Sequence, residues 1–466
     1  MMDLLTAAKA MAGTLVGENT RFARVSTDSR AVLAGDLFIA LRGEIFDGHG
    51  FVAAAKQGGA VAAVVAADML ESLQGIGLPL LVVADTRLAL GALAADWRSR
   101  FTLPLIAVTG SNGKTTTKEM IASILHAAFG DAVLATVGNF NNDIGLPMTL
   151  LRLNAGHRAA IIEMGTNHPG EIAYLARIAR PTVALVTNAQ RAHLAGMGSL
   201  EAIASEKGSI FAELGASGVA VFNADDQWAD LWRAQSAGRR ILNFSFTRAA
   251  QVTGSYQAHG LENHLNFTLL GEEIEVALTM PGAHNARNAL AAAATTVAAG
   301  ISPAAVRAGL AAFRGVKGRL QQRPGLHGAV LLDDSYNANP DSVRAGIDVL
   351  AATIGKKILV LGDMGEIGDM TGQFHDEIGG YAKSQGVDRL LAFGESSALA
   401  AHNFGAGGQH FKKIETLIAA LSSALTPGTT VLIKGSRFMR MERVADAVAE
   451  AVAATTAQTE GDKPCC

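Results

Sequence analysis

The sequence predicts an α/β protein made of three domains. Short apolar segments such as LPLIAVTG, TVALVTN and KKILVLGDM have the length of buried strands, and segments with helical spacing of apolar residues separate them. The chain has 466 residues, which is enough for roughly two to four domains of ordinary size. Hydrophobic residues make up 49% of the chain, so each domain can bury a core.

Composition and charge exclude several classes of protein. The net charge of −3 gives no reason to expect a nucleic-acid or membrane surface. Cys465 and Cys466 are the only cysteines, which excludes a disulfide framework and a cysteine-based zinc site. The first residues, MMDLLTAAKAMAG, lack a long apolar segment behind a basic one, and no apolar run reaches membrane-spanning length without charges or glycines. We therefore expect a cytoplasmic enzyme without a signal peptide.

Residues 1–101 are predicted to form a small mixed α/β domain. DLFIAL, AVAAVVAA and PLLVVAD have strand-like composition, and RLALGALAADWRSRF reads as a helix that leads out of the domain.

Residues 102–316 are predicted to form a central domain with a parallel sheet. The strand LPLIAVTG leads through a glycine-containing loop into a helix with one apolar face, and AAIIEMG, TVALVTN and GVAVFN are further buried strands. HLNFTLL and IEVAL, separated by GEE, alternate as in an antiparallel hairpin. An alanine-rich helix is expected over residues 285–299.

Residues 317–456 are predicted to form a Rossmann-like domain. The domain begins at VKGRLQQRPG, whose glycines and proline favour a hinge. The strands GAVLLDDSY, KKILVLGDM, VDRLLAFG and TTVLIKGS follow, with helices between them. Residues 457–466 are polar, and we expect them to be disordered.

The stretch TGSNGKTTT has the features of a phosphate-binding loop. Gly110 and Gly113 allow the backbone to approach phosphate oxygens, Lys114 would face the β- and γ-phosphates, and Thr115 would bind Mg²⁺. The pattern G-x-x-x-x-G-K-[ST] fails at its first glycine, because Val108 stands there. The other interpretation is a glycine turn with a surface lysine, but the flanking strand and helix favour nucleotide binding.

Two further side chains follow strand ends. Glu163 ends the strand AAIIE, and His193 follows the next one. Ligands of α/β sheets bind outside the carboxyl ends of the strands, so Thr115, Glu163 and His193 would offer ligands to Mg²⁺. A solvated glutamate and a structural histidine are the other interpretations of these two residues.

The motifs are similar, in order, to those of the Mur ligases. They are TGSNGKTTTKEM, EMGTNHPGE, TNAQRAHLAGMGS, PGAHNARNALAA, GRL, DDSYNANPDS, LGDMGEIG and IKGSR. STDSR and GDLFIALRGEIFDGHGF resemble the UDP-binding domain of the Mur ligases that add D-alanyl-D-alanine. The resemblance extends roughly from Ser26 to Glu442.

The resemblance implies ATP-dependent joining of D-alanyl-D-alanine to UDP-N-acetylmuramoyl-tripeptide through an acyl phosphate. The product would be the UDP-muramoyl-pentapeptide precursor of peptidoglycan, made by a monomeric enzyme. Amino-acid-adding Mur ligases carry a D-N-P-R stretch that this chain lacks, and folylpolyglutamate synthases lack the first domain. Another amide ligase of the superfamily is one alternative, and a non-catalytic nucleotide-dependent muropeptide-binding protein is another. The presence of Lys114, Glu163 and Arg319 favours catalysis.

The resemblance also implies roles for single residues. Lys207 would react with CO₂ and form a carbamate that helps to hold a second Mg²⁺. Mur ligases commonly have K-G-E at this place, whereas this chain has Lys207-Gly208-Ser209. In isolation, Lys207 would read as a solvated helix residue. The implied catalytic residues are Lys114, Glu163, His193, Lys207 and Arg319, and the implied metal ligands are Thr115, Glu163, His193 and Lys207.

The implied nucleotide site comprises Gly110, Ser111, Asn112, Gly113, Lys114, Thr115, Thr116, Asn285, Asn288, Arg319 and Asp334. The implied substrate contacts are Ser29, Arg30, Arg42, Asp47, His49, Thr136, Asn139, Asn141, Asn142, Thr166, Asn337, Asn339, Lys434 and Arg437. Other interpretations remain for some of them: Asn285 as a helix cap, the asparagines at 139–142 as turn residues, and Lys434 with Arg437 as a surface pair.

Overall fold

The computed structural model describes residues 1–43, 46–192 and 194–450. The chain folds into two compact units. The first unit is Met1–Gly315 with Glu366–Asp369, and the second comprises Val316–Gly365 and the described residues from Met370 onward. His193 and the predicted tail at residues 457–466 lie outside the described residues.

The N-terminal part of the first unit contains a small mixed sheet. The strands of this part of the chain are β1 (Met2–Asp3), β2 (Thr14–Val16), β3 (Arg21–Phe22), β4 (Arg24–Ser26), β5 (Asp36–Ile39), β6 (Ala62–Ala66) and β7 (Leu80–Val83). Its helices are α1 (Leu4–Ala10), α2 (Val52–Gln57) and α3 (Thr86–Arg98). The sheet order is β2-β7-β6-β5-β4, parallel except for β2, and β1 pairs with β3 separately.

A parallel sheet forms the centre of the first unit, as predicted. Its strands are β8 (Leu105–Thr109), β9 (Val133–Ala135), β10 (Ala159–Glu163), β11 (Val183–Val186), β12 (Val219–Phe222) and β13 (Arg240–Ile241), in the order β13-β12-β11-β8-β10-β9. Every residue of β8, β10 and β11 is buried, as expected for strands covered by helices on both faces. The parallel pairings bring the carboxyl ends of β8, β10 and β11 to one edge.

The helices of this region are α4 (Lys114–Phe129), α5 (Gly145–Leu150), α6 (Glu171–Ala179), α7 (Leu194–Met197), α8 (Leu200–Ala212), α9 (Ala229–Gln235), α10 (Ala283–Ala298) and α11 (Pro303–Ala312). A second sheet contains β14 (Phe244–Ser245), β15 (Val252–His259), β16 (Glu262–Leu269) and β17 (Glu272–Leu278). β16 and β17 pair in antiparallel register, which confirms the predicted hairpin.

Helix α3 connects the N-terminal sheet to the central one. The Arg98 guanidinium is buried and its Nε donates to the carbonyl of Ala179, at the end of α6, over 3.0 Å. The Trp97 indole nitrogen donates to the carbonyl of Leu153 over 3.0 Å. These contacts hold helix α3, and with it the N-terminal sheet, against the central part of the first unit.

The second unit contains a doubly wound sheet, as predicted. Its strands are β18 (Gln321–Gly325), β19 (Ala329–Asp334), β20 (Lys356–Gly362), β21 (Arg389–Phe393), β22 (Gly408–Phe411) and β23 (Thr429–Lys434), in the order β18-β19-β23-β20-β21-β22. Its helices are α12 (Pro340–Ala351), α13 (Thr371–Ser384), α14 (Ser397–Phe404), α15 (Ile414–Ser422) and α16 (Glu442–Val448).

One segment of this unit differs from the prediction. The second half of the expected hinge is the strand β18, which pairs antiparallel with β19 at the edge of the sheet. Pro324 is compatible with that position, because an edge strand has one side without ladder hydrogen bonds. In the described part of the chain, no helix combines the length and apolarity needed to cross a bilayer.

Candidate active site

The loop between β8 and α4 requires both of its glycines. Gly110 has φ +147°, and a Cβ there would lie 1.9 Å from the hydroxyl oxygen of Thr187. Gly113 has φ +79°, and a Cβ there would lie 2.4 Å from the Asn288 side-chain oxygen. Both positions combine a left-handed backbone with a close neighbour, so only glycine fits.

The residues that follow β11 hold this loop by a set of hydrogen bonds. Asn188 accepts the Asn112 amide at its side-chain oxygen over 2.9 Å and donates from its side chain to the Asn112 carbonyl over 3.0 Å. The Asn112 side chain donates to the Gln190 side chain over 2.7 Å, and the Gln190 amide donates to the Ser111 hydroxyl over 2.9 Å. Asn112, predicted as a nucleotide contact, is therefore an anchor of the loop.

The sequence prediction did not include Thr187, Asn188 and Gln190 among the site residues. TNAQ directly follows a predicted strand, but only the adjacency of β8 and β11 reveals that it touches the loop.

Lys114 begins helix α4 and folds back over the loop. Its Nζ donates to the carbonyl of Gly110 over 2.7 Å and to that of Ser111 over 3.2 Å. The first-turn amides of a helix lack partners within it and attract anions. Thr115 is half-buried and Thr116 is buried in the same turn. The arrangement fits a phosphate chain at the N-terminus of α4.

Glu163 ends β10 as a buried carboxylate, 2% exposed. Its Oε1 accepts a hydrogen bond from the Asn141 side chain over 2.8 Å. Its Oε2 is buried without a hydrogen-bond partner in the described structure. A buried carboxylate oxygen without a partner is costly, and a cation would satisfy it. This atom fits the predicted metal site.

A second lysine supports Glu163 through Thr136. Lys118 is fully buried and donates from Nζ to the Thr136 carbonyl over 2.8 Å, and it also pairs with Glu119. The Glu163 amide donates to the Thr136 hydroxyl over 3.0 Å. Thr136, predicted as a substrate contact, thus links Lys118 to the end of β10.

His193, the remaining predicted protein ligand near this edge, lies outside the described residues. Among residues 1–43, 46–192 and 194–450, no group of three or more His, Cys, Asp and Glu residues is placed to hold a metal. Of the four predicted metal ligands, the structure therefore describes Thr115, Glu163 and Lys207.

Lys207 lies in α8 and is 2% exposed, so the solvated interpretation is wrong. Burial lowers the pKa of its amine well below the ordinary value, and the nearby Lys114 ammonium lowers it further, against the opposing effect of Glu206. The Glu206 carboxylate accepts the backbone amides of Gly170 and Ile172, both over 2.8 Å.

The two residues that follow Lys207 both make local contacts. A Cβ at Gly208 would lie 1.7 Å from the Gln235 side-chain oxygen, so this turn of α8 packs closely against α9. The Ser209 hydroxyl donates to the Glu206 carbonyl over 2.6 Å. Ser209 therefore uses its hydroxyl within its own helix.

Asn285 and Asn288 are buried on one face of α10 and contact each other over 3.3 Å. The N-cap of α10 is Gly282, so Asn285 is not the cap residue. Its side chain donates to the Pro281 carbonyl over 2.9 Å. Because Asn288 also contacts Gly113, this face of α10 adjoins the phosphate loop.

The asparagines after β9 divide between two roles. Asn142 accepts the amides of Ile144 and Gly145 and so forms the turn into α5. Asn141 binds Glu163, whereas Asn139 is exposed. Thr166 is buried and donates to the His168 carbonyl over 2.8 Å.

The polar candidates of the first sheet form ion pairs. Arg30 makes a bidentate pair with Asp28, which lowers the pKa of that carboxyl to about 2. Arg42 pairs with Asp47 over 3.2 Å and with Asp68 over 2.9 Å. Ser29 is half-buried.

His49 in the same sheet is buried, and its Nε2 accepts the Ala66 amide over 2.9 Å. Nδ1 therefore carries the proton and donates to Asp47. Desolvation acts to raise the pKa of Asp47, but the hydrogen bonds from His49 and Arg42 together outweigh it and lower the pKa to about 2.

In the second unit, charged candidates gather at the carboxyl ends of β19 and β23. Lys434 is 2% exposed and donates to Asp334 over 2.6 Å, so the surface-pair interpretation is wrong for it. The other Asp334 oxygen accepts the Leu320 amide over 3.0 Å. Burial lowers the pKa of Lys434, Asp334 raises it, and Arg319 lowers it.

Arg437 is exposed and pairs with Glu442 over 2.9 Å. Arg319 lies over the Tyr336 ring, 4.1 Å from the centroid. Asn337 offers its carbonyl to Lys434 over 2.8 Å. Asn339 is the N-cap of α12 in a capping box with Ser342, so its side chain has a structural partner.

Family models match three consecutive parts of the chain. Residues 21–98 match the model described as "Mur ligase family, catalytic domain", residues 108–296 match the Mur ligase middle domain, and residues 318–437 match the model described as "Mur ligase, glutamate ligase domain".

Curated relatives and solved structures agree with these matches. A UDP-N-acetylmuramoyl-tripeptide–D-alanyl-D-alanine ligase from Escherichia coli K12 is 42% identical over 94% of this chain and 96% of its own length. MurF from Acinetobacter baumannii has a TM-score of 0.87 at 35% identity, covering 95% of this chain and 98% of that one.

MurF ligase from Thermotoga maritima, solved in complex with ADP, has a TM-score of 0.79 at 28% identity, with 92% of this chain and 97% of that chain covered. The identity and coverage of these relatives, together with the three family-model matches, establish that the chain belongs to the Mur ligase family.

Proposed function

We propose that this protein joins D-alanyl-D-alanine to UDP-N-acetylmuramoyl-tripeptide at the expense of ATP, in the cytoplasm and as a monomer. The observation that carries the proposal is the 42% identity, over 94% of the chain, to an Escherichia coli protein of that name. The product would be the UDP-muramoyl-pentapeptide used for the cell wall. Residues 1–101 would bind the UDP-sugar, residues 102–316 ATP, and residues 317–456 the incoming dipeptide.

ATP activates the carboxylate, which is otherwise a poor electrophile. The terminal carboxylate of the tripeptide attacks the γ-phosphorus in line, the bond to the bridging oxygen breaks, and ADP leaves. Lys114 and the N-terminus of α4 stabilise the negative charge that spreads over the phosphate oxygens. The ADP bound in the Thermotoga maritima structure supports a nucleotide site in this fold.

The dipeptide amine then attacks the carbonyl carbon of the acyl phosphate. The tetrahedral intermediate loses a proton and expels inorganic phosphate, which leaves the new amide bond. Lys434 and Arg437 are the residues proposed for this half of the reaction, and Arg319 is proposed for the phosphates. None of these steps requires a nucleophilic side chain.

Mg²⁺ would be held by Glu163 and Thr115, with His193 as a further proposed ligand. Bound Mg²⁺ supplies positive charge next to the phosphate oxygens. The fit rests on Glu163 Oε2, which is buried without a hydrogen-bond partner in the described structure. Asn141 and Thr136 keep the carboxylate in place at the end of β10.

Lys207 is proposed to carry a carbamate that helps to hold a second Mg²⁺. The reaction needs a neutral amine: its lone pair attacks CO₂, one proton leaves, and an anionic carbamate remains. Burial lowers the pKa of Lys207, which favours the neutral amine. The anionic carbamate would also attract the nearby Lys114 ammonium.

The test is turnover with purified protein, Mg-ATP, the UDP-muramoyl-tripeptide and D-alanyl-D-alanine. We expect one ADP and one phosphate for each pentapeptide formed. Lys114→Ala should abolish ligation while UDP-substrate binding remains, and the exposed Lys412→Ala is the control. Near-normal turnover of Lys114→Ala would contradict the assignment.

The alternative is an amide ligase of the same family with another amine substrate. Phosphate release measured with single amino acids and with dipeptides separates the two. A single amino acid that exceeds D-alanyl-D-alanine in kcat/KM would favour the alternative.

A further inference from the structure

Tyr336 is the centre of a cationic cluster within the second unit. The guanidinium carbon of Arg319 lies 4.1 Å from the centroid of its ring, and that of Arg437 lies 5.6 Å from the same centroid. Both distances are within the range of a cation–π contact. Two arginines that are far apart in sequence, one before β18 and one after β23, therefore share one aromatic ring.

The backbone around Tyr336 is fixed by separate contacts. Its amide donates to the Gly318 carbonyl over 3.1 Å, directly before Arg319. Gly318 has φ +69°, and a Cβ there would lie 3.3 Å from the Tyr336 Cβ. The Leu320 amide, directly after Arg319, donates to Asp334 over 3.0 Å. The backbone at Tyr336 and the backbone next to Arg319 are thus held close to each other.

Further charged side chains adjoin these two arginines. The buried Lys434 pairs with Asp334 over 2.6 Å, and Arg319 is near enough to lower the pKa of the Lys434 amine. Arg437 pairs with Glu442 over 2.9 Å. The two guanidinium groups repel each other, and the negative face of an aromatic ring favours the rotamers that place them against it.

We propose that Tyr336 is a positioning residue that holds the guanidinium groups of Arg319 and Arg437 ready for an anionic ligand. The identity of that ligand, the phosphate oxygens of the nucleotide or of the acyl phosphate, rests on the proposed function. The arrangement of the two arginines around the Tyr336 ring is independent of the proposed function. Tyr336 acts through the arginines and is not itself a catalytic residue.

The experiment compares Tyr336→Leu with Tyr336→Phe. Leucine removes the ring, whereas phenylalanine keeps the aromatic ring that both arginines contact. Tyr381→Leu is the matched control, because Arg344 lies 4.0 Å from the Tyr381 centroid in the same unit. It makes the same chemical change and loses the same type of contact away from the cluster.

We expect kcat/KM for Mg-ATP to fall roughly 5- to 30-fold in Tyr336→Leu, from the loss of two cation–π contacts. Tyr336→Phe and Tyr381→Leu should stay within about twofold of the parent protein. Equal losses in Tyr336→Phe and Tyr336→Leu would overturn the proposal, because the ring face would not be the cause. An equal loss in Tyr381→Leu would also overturn it, because the effect would then be general destabilisation.

A second readout does not depend on ligation. NMR signals of the Arg319 and Arg437 guanidinium groups, assigned by substitution, should carry ring-current shifts that Tyr336→Leu abolishes and Tyr336→Phe retains. Unchanged signals in Tyr336→Leu would refute the proposal even in a fully active enzyme. If the parent protein fails to ligate but these shifts behave as expected, the proposed function fails and the positioning role stands.

Discussion

Replacing Glu163 by glutamine should separate stability from function. The carboxylate is buried, Oε1 is bound by Asn141, and Oε2 has no hydrogen-bond partner in the described structure. Glutamine has the same shape, keeps an oxygen for Asn141 and removes the charge. We expect the metal-free variant to be more stable than the parent protein and unable to ligate.

The magnitude follows from the cost of an unpaired buried group. An unpaired neutral group costs about 1–3 kcal/mol, and an ionised group costs more. Glutamine still leaves an unpaired amide at this position, so the gain is the difference, about 1–2 kcal/mol. At about 2–4 °C per kcal/mol for a domain of this size, the unfolding transition should rise by about 2–8 °C.

The assay is calorimetry of both proteins in EDTA and in Mg²⁺ with a non-hydrolysable ATP analogue. Ligand binding should raise the transition of the parent protein, and Glu163→Gln should lose most of that increase. Glu275→Gln, on the exposed face of β17, is the control and should change neither value. Equal stabilisation of the parent and Glu163→Gln by Mg²⁺ and the analogue would refute the role of Oε2.

Three further substitutions test other parts of the account. Lys118→Met should loosen Thr136, and thereby lower kcat and weaken Mg²⁺ binding. Steady-state kinetics over a series of magnesium concentrations measure both effects. An unchanged magnesium dependence would argue that Lys118 does not support Glu163. Gly110→Ala should lower the free energy of unfolding in urea by roughly 1–3 kcal/mol and abolish nucleotide binding, because its Cβ would meet Thr187. Gly130→Ala is the control, since Gly130 has φ +61° but open space around it. Equal effects of the two substitutions would contradict the clash. Lys207→Met should abolish ligation yet raise stability at neutral pH. Burial lowers the pKa of Lys207, so the unfolded chain binds more protons than the folded one, and the free energy of unfolding rises with pH up to the ordinary pKa of 10.5. Lys207→Met should lose this dependence on pH, which urea unfolding between pH 7 and 9 measures. A variant with the same pH dependence as the parent protein would refute the burial argument.

Strand-length apolar runs predicted most of the sheets. The prediction was accurate for β8, β10 and β11, because strands buried on both faces have continuous apolar sequence. It missed several short strands, among them β22, whose sequence GQHF is largely polar. It read β18 as part of a hinge, because proline and glycine are also turn residues and the edge position that tolerates them is a property of the folded sheet.

The site could be predicted only in part, for a physical reason. The loop glycines and Glu163 were recognisable because they lie at or just after the ends of predicted strands. The burial of Lys207 and Lys434 could not be read from the sequence, since lysine is almost always exposed and only packing decides otherwise. The hydrogen bonds from Asn188 and Gln190 to the loop depend on the adjacency of β8 and β11, which local sequence does not encode.

The most direct test of acyl-phosphate formation follows the oxygen atoms of the carboxylate. The terminal carboxylate of UDP-N-acetylmuramoyl-tripeptide is labelled with ¹⁸O, and the phosphate released with Mg-ATP and D-alanyl-D-alanine is examined by mass spectrometry. Transfer of the carboxylate oxygen to phosphorus predicts one ¹⁸O atom in each released phosphate. Pentapeptide formation with unlabelled phosphate, or with AMP as the product, would contradict the account.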